Sequence, residues 1–108
     1  MTKKDLLDNI ESLLVVINSL YSKDPSEEEK KEIDELAEKL DRAQNRLVKL
    51  MIQENDAEYV RLARDLGAVN SQIHHDLTAL EKLRKILDGV KQSVEVITEI
   101  VKLVEVPA

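Results

Sequence analysis

The sequence contains no cysteine, phenylalanine or tryptophan, and only two residues each of glycine, proline and tyrosine. Without cysteine there is no disulfide framework and no thiolate metal site, so we expect a cytoplasmic protein. The scarcity of turn formers and aromatic residues argues against a β fold. It also removes the aromatic platforms on which proteins stack single-stranded nucleic acid.

Positive charge is also scarce, because 16 Lys and Arg residues stand against 22 Asp and Glu residues, a formal net charge of −6. Such a chain has no electrostatic attraction for phosphate backbones, so we expect no nucleic-acid partner. No apolar run reaches the ~18 residues of a membrane span. Asp5, Asp8 and Glu11 interrupt the region where a signal peptide would carry its apolar core.

Helix-forming residues dominate the chain, and its apolar residues recur at alternating steps of three and four. This spacing is typical of amphipathic helices packed in a bundle. Breaks in the pattern near Pro25 and Asn55 divide the chain, and the predicted N-terminal caps of the helices are Thr2 (in a box with Asp5), Asp24, and Asn55 or Asp56. We therefore predict one all-α domain over 1–108, an antiparallel helical hairpin or bundle of three or four helices with coiled-coil-like packing. The predicted helices are about 3–21, 25–53 and 56–105.

The third helix carries conflicting signals at Gly89. Glycine commonly follows a helix end, yet the apolar positions from Tyr59 to Val104 keep a single heptad phase across it. A loop would be free to reset this phase, so we expect one continuous helix, with a break at 88–89 as the alternative. In either case Gly67 and Gly89 are predicted to point outward.

Neighbouring antiparallel helices pair residues whose numbers have a constant sum. The apolar lines of the second and third helices pair at a sum of 109, for example Leu50 with Tyr59, which predicts a hairpin of these two helices. Asp76 is the one polar residue in the third line and falls opposite Ile33. We interpret it as a residue that fixes register or oligomeric state. We expect it either to reach water at the edge of the seam or to meet a basic residue of another helix or copy, and Lys102 is one candidate if the chain folds back at Gly89.

Two helical segments have apolar faces wider than one neighbour could cover. The face of the C-terminal segment is widened by Val96, Ile100 and Leu103, and that of the first helix by Leu7 and Leu14. The covering surface is another helix of the same chain, a second copy, a different protein or a membrane. We expect self-association, as a dimer, and take these five residues as interface candidates, with a helical protein partner as the alternative.

A catalytic or metal site is not predicted. His74 and His75, the only histidines, point largely to solvent and diverge by ~100° on a helix, so they lack the i, i+4 spacing of helical metal ligands. No serine has an obvious base partner, and no glycine-rich phosphate loop is present. We therefore expect no enzyme, no cofactor and no bound metal.

One enzyme class remains as a minor alternative. Glu28, Glu29 and Glu32 resemble the Glu-Glu-x-x-Glu set with which all-α nucleotide pyrophosphohydrolases hold magnesium. The second set of that family would be Glu38 and Asp41, but these lie on the same helix, whereas the family supplies them from a later one. The three glutamates also lie off the apolar line.

The function predicted from the sequence is a non-enzymatic protein–protein interaction module, of scaffold, adaptor, chaperone or inhibitor type, acting through helix faces. A membrane-active protein using the C-terminal amphipathic helix is the other alternative. It is disfavoured because Glu95, Glu99 and Glu105 outnumber Lys91 and Lys102 on the polar face of that helix.

Overall fold

The computed structural model describes residues 1–105 as four α-helices joined by short connections. They are α1 (Lys3–Ser19), which runs into a 3₁₀ turn at Leu20–Lys23, α2 (Glu27–Lys49), α3 (Ala57–Thr78) and α4 (Leu83–Glu105). The described residues contain no strand. The predicted all-α bundle is therefore confirmed.

Helices α1 and α3 begin at the side chains predicted to cap them. The Thr2 hydroxyl accepts a hydrogen bond from the N–H of Asp5, and the Asp5 carboxylate accepts one from the N–H of Thr2, both at 3.1 Å. Asp56 accepts a hydrogen bond of 3.0 Å from the N–H of Tyr59. These contacts satisfy N–H groups that have no partner within the helix.

The start of α2 lies two residues later than predicted. Its cap is Ser26, which forms a reciprocal capping box with Glu29. The predicted cap, Asp24, has a left-handed backbone with φ of 56°. An N-cap residue needs an extended backbone, so Asp24 ends the preceding 3₁₀ turn instead.

The four helices form a ring in the order α1, α2, α4, α3. Helices α2 and α4 run parallel, because Arg84 bonds Glu32 near their first residues and Arg46 bonds Glu105 near their last. Helix α1 is antiparallel to α2, because Glu11 in α1 bonds Gln44 near the end of α2, whereas Tyr21 just after α1 bonds Asp34 nearer its start.

The predicted hairpin of the second and third helices is wrong in its pairing. Although joined by a short connection, α2 and α3 lie across the ring, and α3 packs most closely against α4. Asp76 meets Lys85 and Asn70 meets Ser93, pairs whose numbers add to 161 and 163. Any two antiparallel heptad lines give a constant sum, so the sum of 109 could not identify the true neighbour.

The chain turns between α3 and α4 at residues 79–82, so both the continuous third helix and the break at 88–89 are wrong. Leu80 has a left-handed backbone with φ of 55°. Its N–H bonds the carbonyl of Leu77 at 3.2 Å, and the N–H of Glu81 bonds the carbonyl of Asp76 at 3.0 Å. This is a Schellman cap with leucine in the position that glycine usually takes.

Gly89 lies inside α4 and faces α3. A Cβ atom added there would lie 3.0 Å from Cγ1 of Ile73, closer than side chains normally approach. A Cβ atom at Gly67 would meet nothing within 4 Å. The outward orientation predicted for both glycines therefore holds only for Gly67, and Gly89 marks close packing of α4 on α3.

Candidate functional site

A groove of about 810 Å³ runs between the parallel helices α2 and α4. Its apolar floor is formed by Leu36 and Ala43 from α2 and by Val94 and Val101 from α4. Ala43 is the one small side chain among the buried positions of α2, which are otherwise leucine or isoleucine. An apolar floor between two helices is the geometry that accepts a third amphipathic helix.

The walls of the groove are rich in positive charge. Five Lys and Arg side chains and two Glu side chains line it, a local formal charge of +3 in a chain of −6. The α2 wall carries cations alone, at Lys39, Arg42 and Arg46. The α4 wall carries both signs, with two glutamates in the middle and a lysine at either end: Lys91, Glu95, Glu99 and Lys102.

These cations differ in how far they are already neutralised. Arg42 pairs with Glu38, and Lys102 lies 3.8 Å from Glu99. Neither Lys39 nor Lys91 forms an ion pair with any residue among 1–105. Because exposed ion pairs are worth at most ~1 kcal/mol, the paired cations can exchange partners at little cost.

Ion pairs tie α2 to α4 towards both ends of the groove. At one end Arg84 binds Glu32 with two hydrogen bonds, of 2.7 and 3.2 Å, and also contacts Asp88. Hydrogen bonding to the Arg84 guanidinium lowers the pKa of Glu32. At the other end Arg46 pairs with Glu105. Polar contacts thus bridge the two walls near both ends of the groove, with the floor between them.

The five predicted interface residues pack within the chain. Ile100 is fully buried, and Val96 and Leu103 are half-buried against the core. They follow Gly89 and Ser93 at steps of three and four, and therefore lie on the side of α4 that faces α3. The remaining two, Leu7 and Leu14, are half-buried against the same core. The surface that covers the C-terminal face is α3 of the same chain.

Asp76 is buried, and its carboxylate has two partners. The side-chain amide of Gln72 donates a hydrogen bond of 3.0 Å to it, and Nζ of Lys85 lies 3.6 Å away. Lys85 belongs to the first turn of α4, so the expected basic partner from another helix is present but is not Lys102. Asp76 thus links α3 to α4 next to the turn that joins them.

A second polar contact crosses the interior and was not predicted from the sequence. The hydroxyl of Ser93, which is fully buried, donates a hydrogen bond of 2.7 Å to the side chain of Asn70. The amide of Asn70 donates one of 2.8 Å to Asn9 in α1. These three residues flank the apolar lines instead of interrupting them, and the sequence therefore gave no sign of their contact.

The structure places both histidines on the surface of α3. His74 borders a shallow groove between α1 and α3, together with Asn9 and Asn70. His75 contributes its main-chain carbonyl to the end of α3, where it accepts a hydrogen bond from Ala79. Neither side chain contacts Asp76, which points into the core.

Three of the five acidic residues of the pyrophosphohydrolase alternative have other partners. Glu29 completes the cap of α2, Glu32 binds Arg84, and Glu38 binds Arg42. Residues 1–105 contain no group of three or more side chains placed to hold a metal ion. Nor does any helix in this part of the chain have the length and apolar character needed to cross a bilayer.

One feature of the groove is visible in the sequence, in the spacing of three basic residues. Lys39, Arg42 and Arg46 follow each other at steps of three and four, which places them on one face of α2.

No protein-family model, curated protein or solved structure matches the chain.

Proposed function

We propose that this protein is a non-enzymatic interaction module that binds a helical segment of another protein in the groove between α2 and α4. The observation that supports this function is the combination of an apolar floor with charged walls over one continuous surface. Protein interfaces have this composition, with an apolar centre that excludes water and a polar rim that selects the partner. A role as scaffold, adaptor, chaperone or inhibitor in the cytoplasm agrees with it.

This function depends on the groove and not on the apolar faces from which a dimer was predicted. Those faces, represented by Ile100 and Leu14, pack against the core of the same chain. The membrane alternative depends on the same C-terminal face and gains no support from it. The enzyme alternative gains none from Glu32, which is bound to Arg84.

Site-directed photo-crosslinking in the source cells tests this function. A photoreactive residue is placed at Thr98, which is exposed and lines the groove, and in a matched variant at Ser71, which is exposed on α3. We expect the Thr98 variant to give a discrete cross-linked product with another protein and the Ser71 variant to give none. Circular dichroism of both variants controls for folding.

Two results would contradict the proposal. Equal products from both positions would show that the groove has no special role in binding. A product with twice the mass of the chain, containing this sequence alone, would show that the groove binds a second copy and that the module is homotypic.

A further inference from the structure

We infer that the occupant of the groove is an amphipathic helix of about three turns whose flanks carry acidic side chains. This inference rests on the proposed function and names the chemistry of its partner. It depends on three features of the groove: the sign of the charge on its walls, the length of its floor, and the absence of a self-complementary surface.

The charge of the walls opposes that of the rest of the molecule. With +3 in the groove, the remainder of the chain carries −9. The net charge of the rest of the molecule therefore repels an acidic segment, whereas the net charge of the groove attracts it. Lys39 and Lys91, one on each wall, are free of ion pairs within the described chain and can each receive a carboxylate. Complementary charge of this kind selects partners and speeds their association.

The floor sets the length of the occupant. From Leu36 to Arg46 on α2, and from Lys91 to Lys102 on α4, the lining residues extend for about 15 to 17 Å of helix axis. A docked helix of the same length has about three turns. Its apolar residues at steps of three and four would contact Ala43 and the valines of the floor.

The two walls call for different flanks on this helix. The flank beside α2 meets cations along its whole length and should be acidic throughout. The flank beside α4 meets lysine at both ends, with Glu95 and Glu99 between them, and should carry a cation at its centre. Paired charges at the edges of an apolar contact set partner choice in the same way in coiled coils.

A second copy of the chain is a poor occupant. In a two-fold symmetric dimer the same surface meets itself, which here would bring two walls of net positive charge together. A copy that instead presented its acidic outer surface would form a head-to-tail contact, which gives rings or open chains and not a two-fold dimer. The groove therefore fits a different protein better than a dimer partner.

A designed peptide tests the inference directly. The probe is a helix-stabilised peptide of about 11 residues with apolar residues at three- and four-residue steps and the flanks described above. Its binding to the full chain is followed by fluorescence anisotropy and by amide shifts in NMR spectra. A control peptide has every flanking charge reversed. We expect the acidic peptide to bind, to shift amides of α2 and α4, and to bind more weakly as salt is raised.

Paired variants assign the binding to the groove. We expect the double variant Lys39→Glu, Lys91→Glu to lower the affinity for the acidic peptide by about tenfold or more, because two attractions become repulsions. The matched control is Lys31→Glu with Lys82→Glu, exposed lysines outside the groove and without an ion pair among residues 1–105, which should change the affinity less than about twofold.

The inference is overturned by equal binding of the two peptides, by absence of binding, or by shifts located on α1 or α3. It is also overturned if vesicles of anionic lipid, and not the peptide, bind in a manner that depends on Lys39 and Lys91. If the peptide fails while the Thr98 crosslink still captures a protein, the interaction function stands and only the acidic helix is wrong.

Discussion

Helix α4 has two neighbours and packs against them in different ways. Towards α3 it is closely packed, with Gly89 within contact distance of Ile73 and polar contacts from Ser93 and Lys85. We call this contact between α3 and α4 the sealed interface. Towards α2 it is open, with ion pairs near the two ends and a groove of about 810 Å³ between them. One helix thus has one face closed by packing and one face available for a ligand.

The difference separates the packing that stabilises the bundle from the surface that we propose as a binding site. The sealed interface supplies the apolar burial on which stability depends. The open interface is bridged by ion pairs near its two ends, and the small side chain of Ala43 leaves space in its floor. A mutation should therefore have a large effect on stability at the sealed face and a small one at the groove.

The largest expected difference compares two valines of α4. Val90 is fully buried, whereas Val94 forms part of the groove floor. We expect Val90→Ala to lower the free energy of unfolding by about 2–3 kcal/mol, because it leaves a closed cavity. Val94→Ala should cost only about 1 kcal/mol, since the lost volume merges with an open groove. Urea unfolding of both variants measures the difference, and equal losses would mean that the groove floor is as tightly packed as the core.

The two glycines provide a second comparison. Ile73 is buried and β-branched and cannot easily move, so we expect Gly89→Ala to be destabilising by about 1 kcal/mol despite the better helix propensity of alanine. Gly67→Ala meets no neighbour and should gain about 0.5–1 kcal/mol. Thermal unfolding of both variants tests this. A gain at both positions would show that α4 can move away from α3.

The turn that closes the sealed interface gives the next prediction. Leu80 is 81% exposed and left-handed, so glycine there removes strain without losing core packing. We expect Leu80→Gly to stabilise the protein by about 1 kcal/mol. In the middle of a continuous helix, a change to glycine would lower the free energy of unfolding by about 1 kcal/mol. We expect that loss for the control variant Ala68→Gly, at an exposed position in α3. A rise in the melting temperature of Leu80→Gly would agree with a left-handed turn at this residue, and a fall would agree with a continuous helix.

These comparisons also mark what the sequence could predict. Apolar spacing and the local caps of α1 and α3 depend on a few neighbouring residues and were predicted correctly, whereas the cap of α2 is Ser26 and not the predicted Asp24. The turn at Leu80 was missed because its backbone is one that glycine adopts most easily, whereas Gly89 gave a false signal. A heptad pattern defines an apolar face but not the helix that covers it.

The groove could not be predicted for the same reason. Lys39 and Arg46 lie on one face of α2, but their relation to Lys91 depends on α2 and α4 being parallel neighbours. That arrangement follows from the turn at 79–82, which allows α4 to return along α3. The interface candidates were assigned to a partner for a related reason, since the sequence did not show that α3 would cover Ile100.

Asp76 tests whether polar contacts fix the pairing at the sealed interface. Its partners Gln72 and Lys85 are both exposed enough to return to water, so we expect Asp76→Leu to raise the melting temperature slightly. The pairing of α3 with α4 should become less uniform, visible as doubled amide signals in NMR spectra. Lys85→Met, which leaves the buried carboxylate without its cation, should lower the melting temperature. A fall in the Asp76→Leu variant would show that the pair is itself stabilising and would contradict the register role.

The smallest expected effect is the pH dependence of the open interface. The pKa of Glu32 is lowered by hydrogen bonds from Arg84, so the folded state holds the ionised form more strongly than the unfolded state does. The contribution of this pair to stability is therefore fully present above the unfolded pKa of about 4.3 and is lost as pH falls through the lower, folded pKa.

Other carboxylates titrate in the same range, including Asp5, whose pKa is lowered by its hydrogen bonds with Thr2. The comparison of the wild type with Arg84→Gln separates the Glu32 contribution from theirs. We expect the melting temperature of the wild type to fall more than that of the variant between about pH 5 and pH 2.5, since only the wild type loses the bridge. The Asp5 contribution is the same in both proteins and cancels. Parallel acid profiles would mean that the bridge between α2 and α4 adds nothing to stability, and that packing alone holds the groove open.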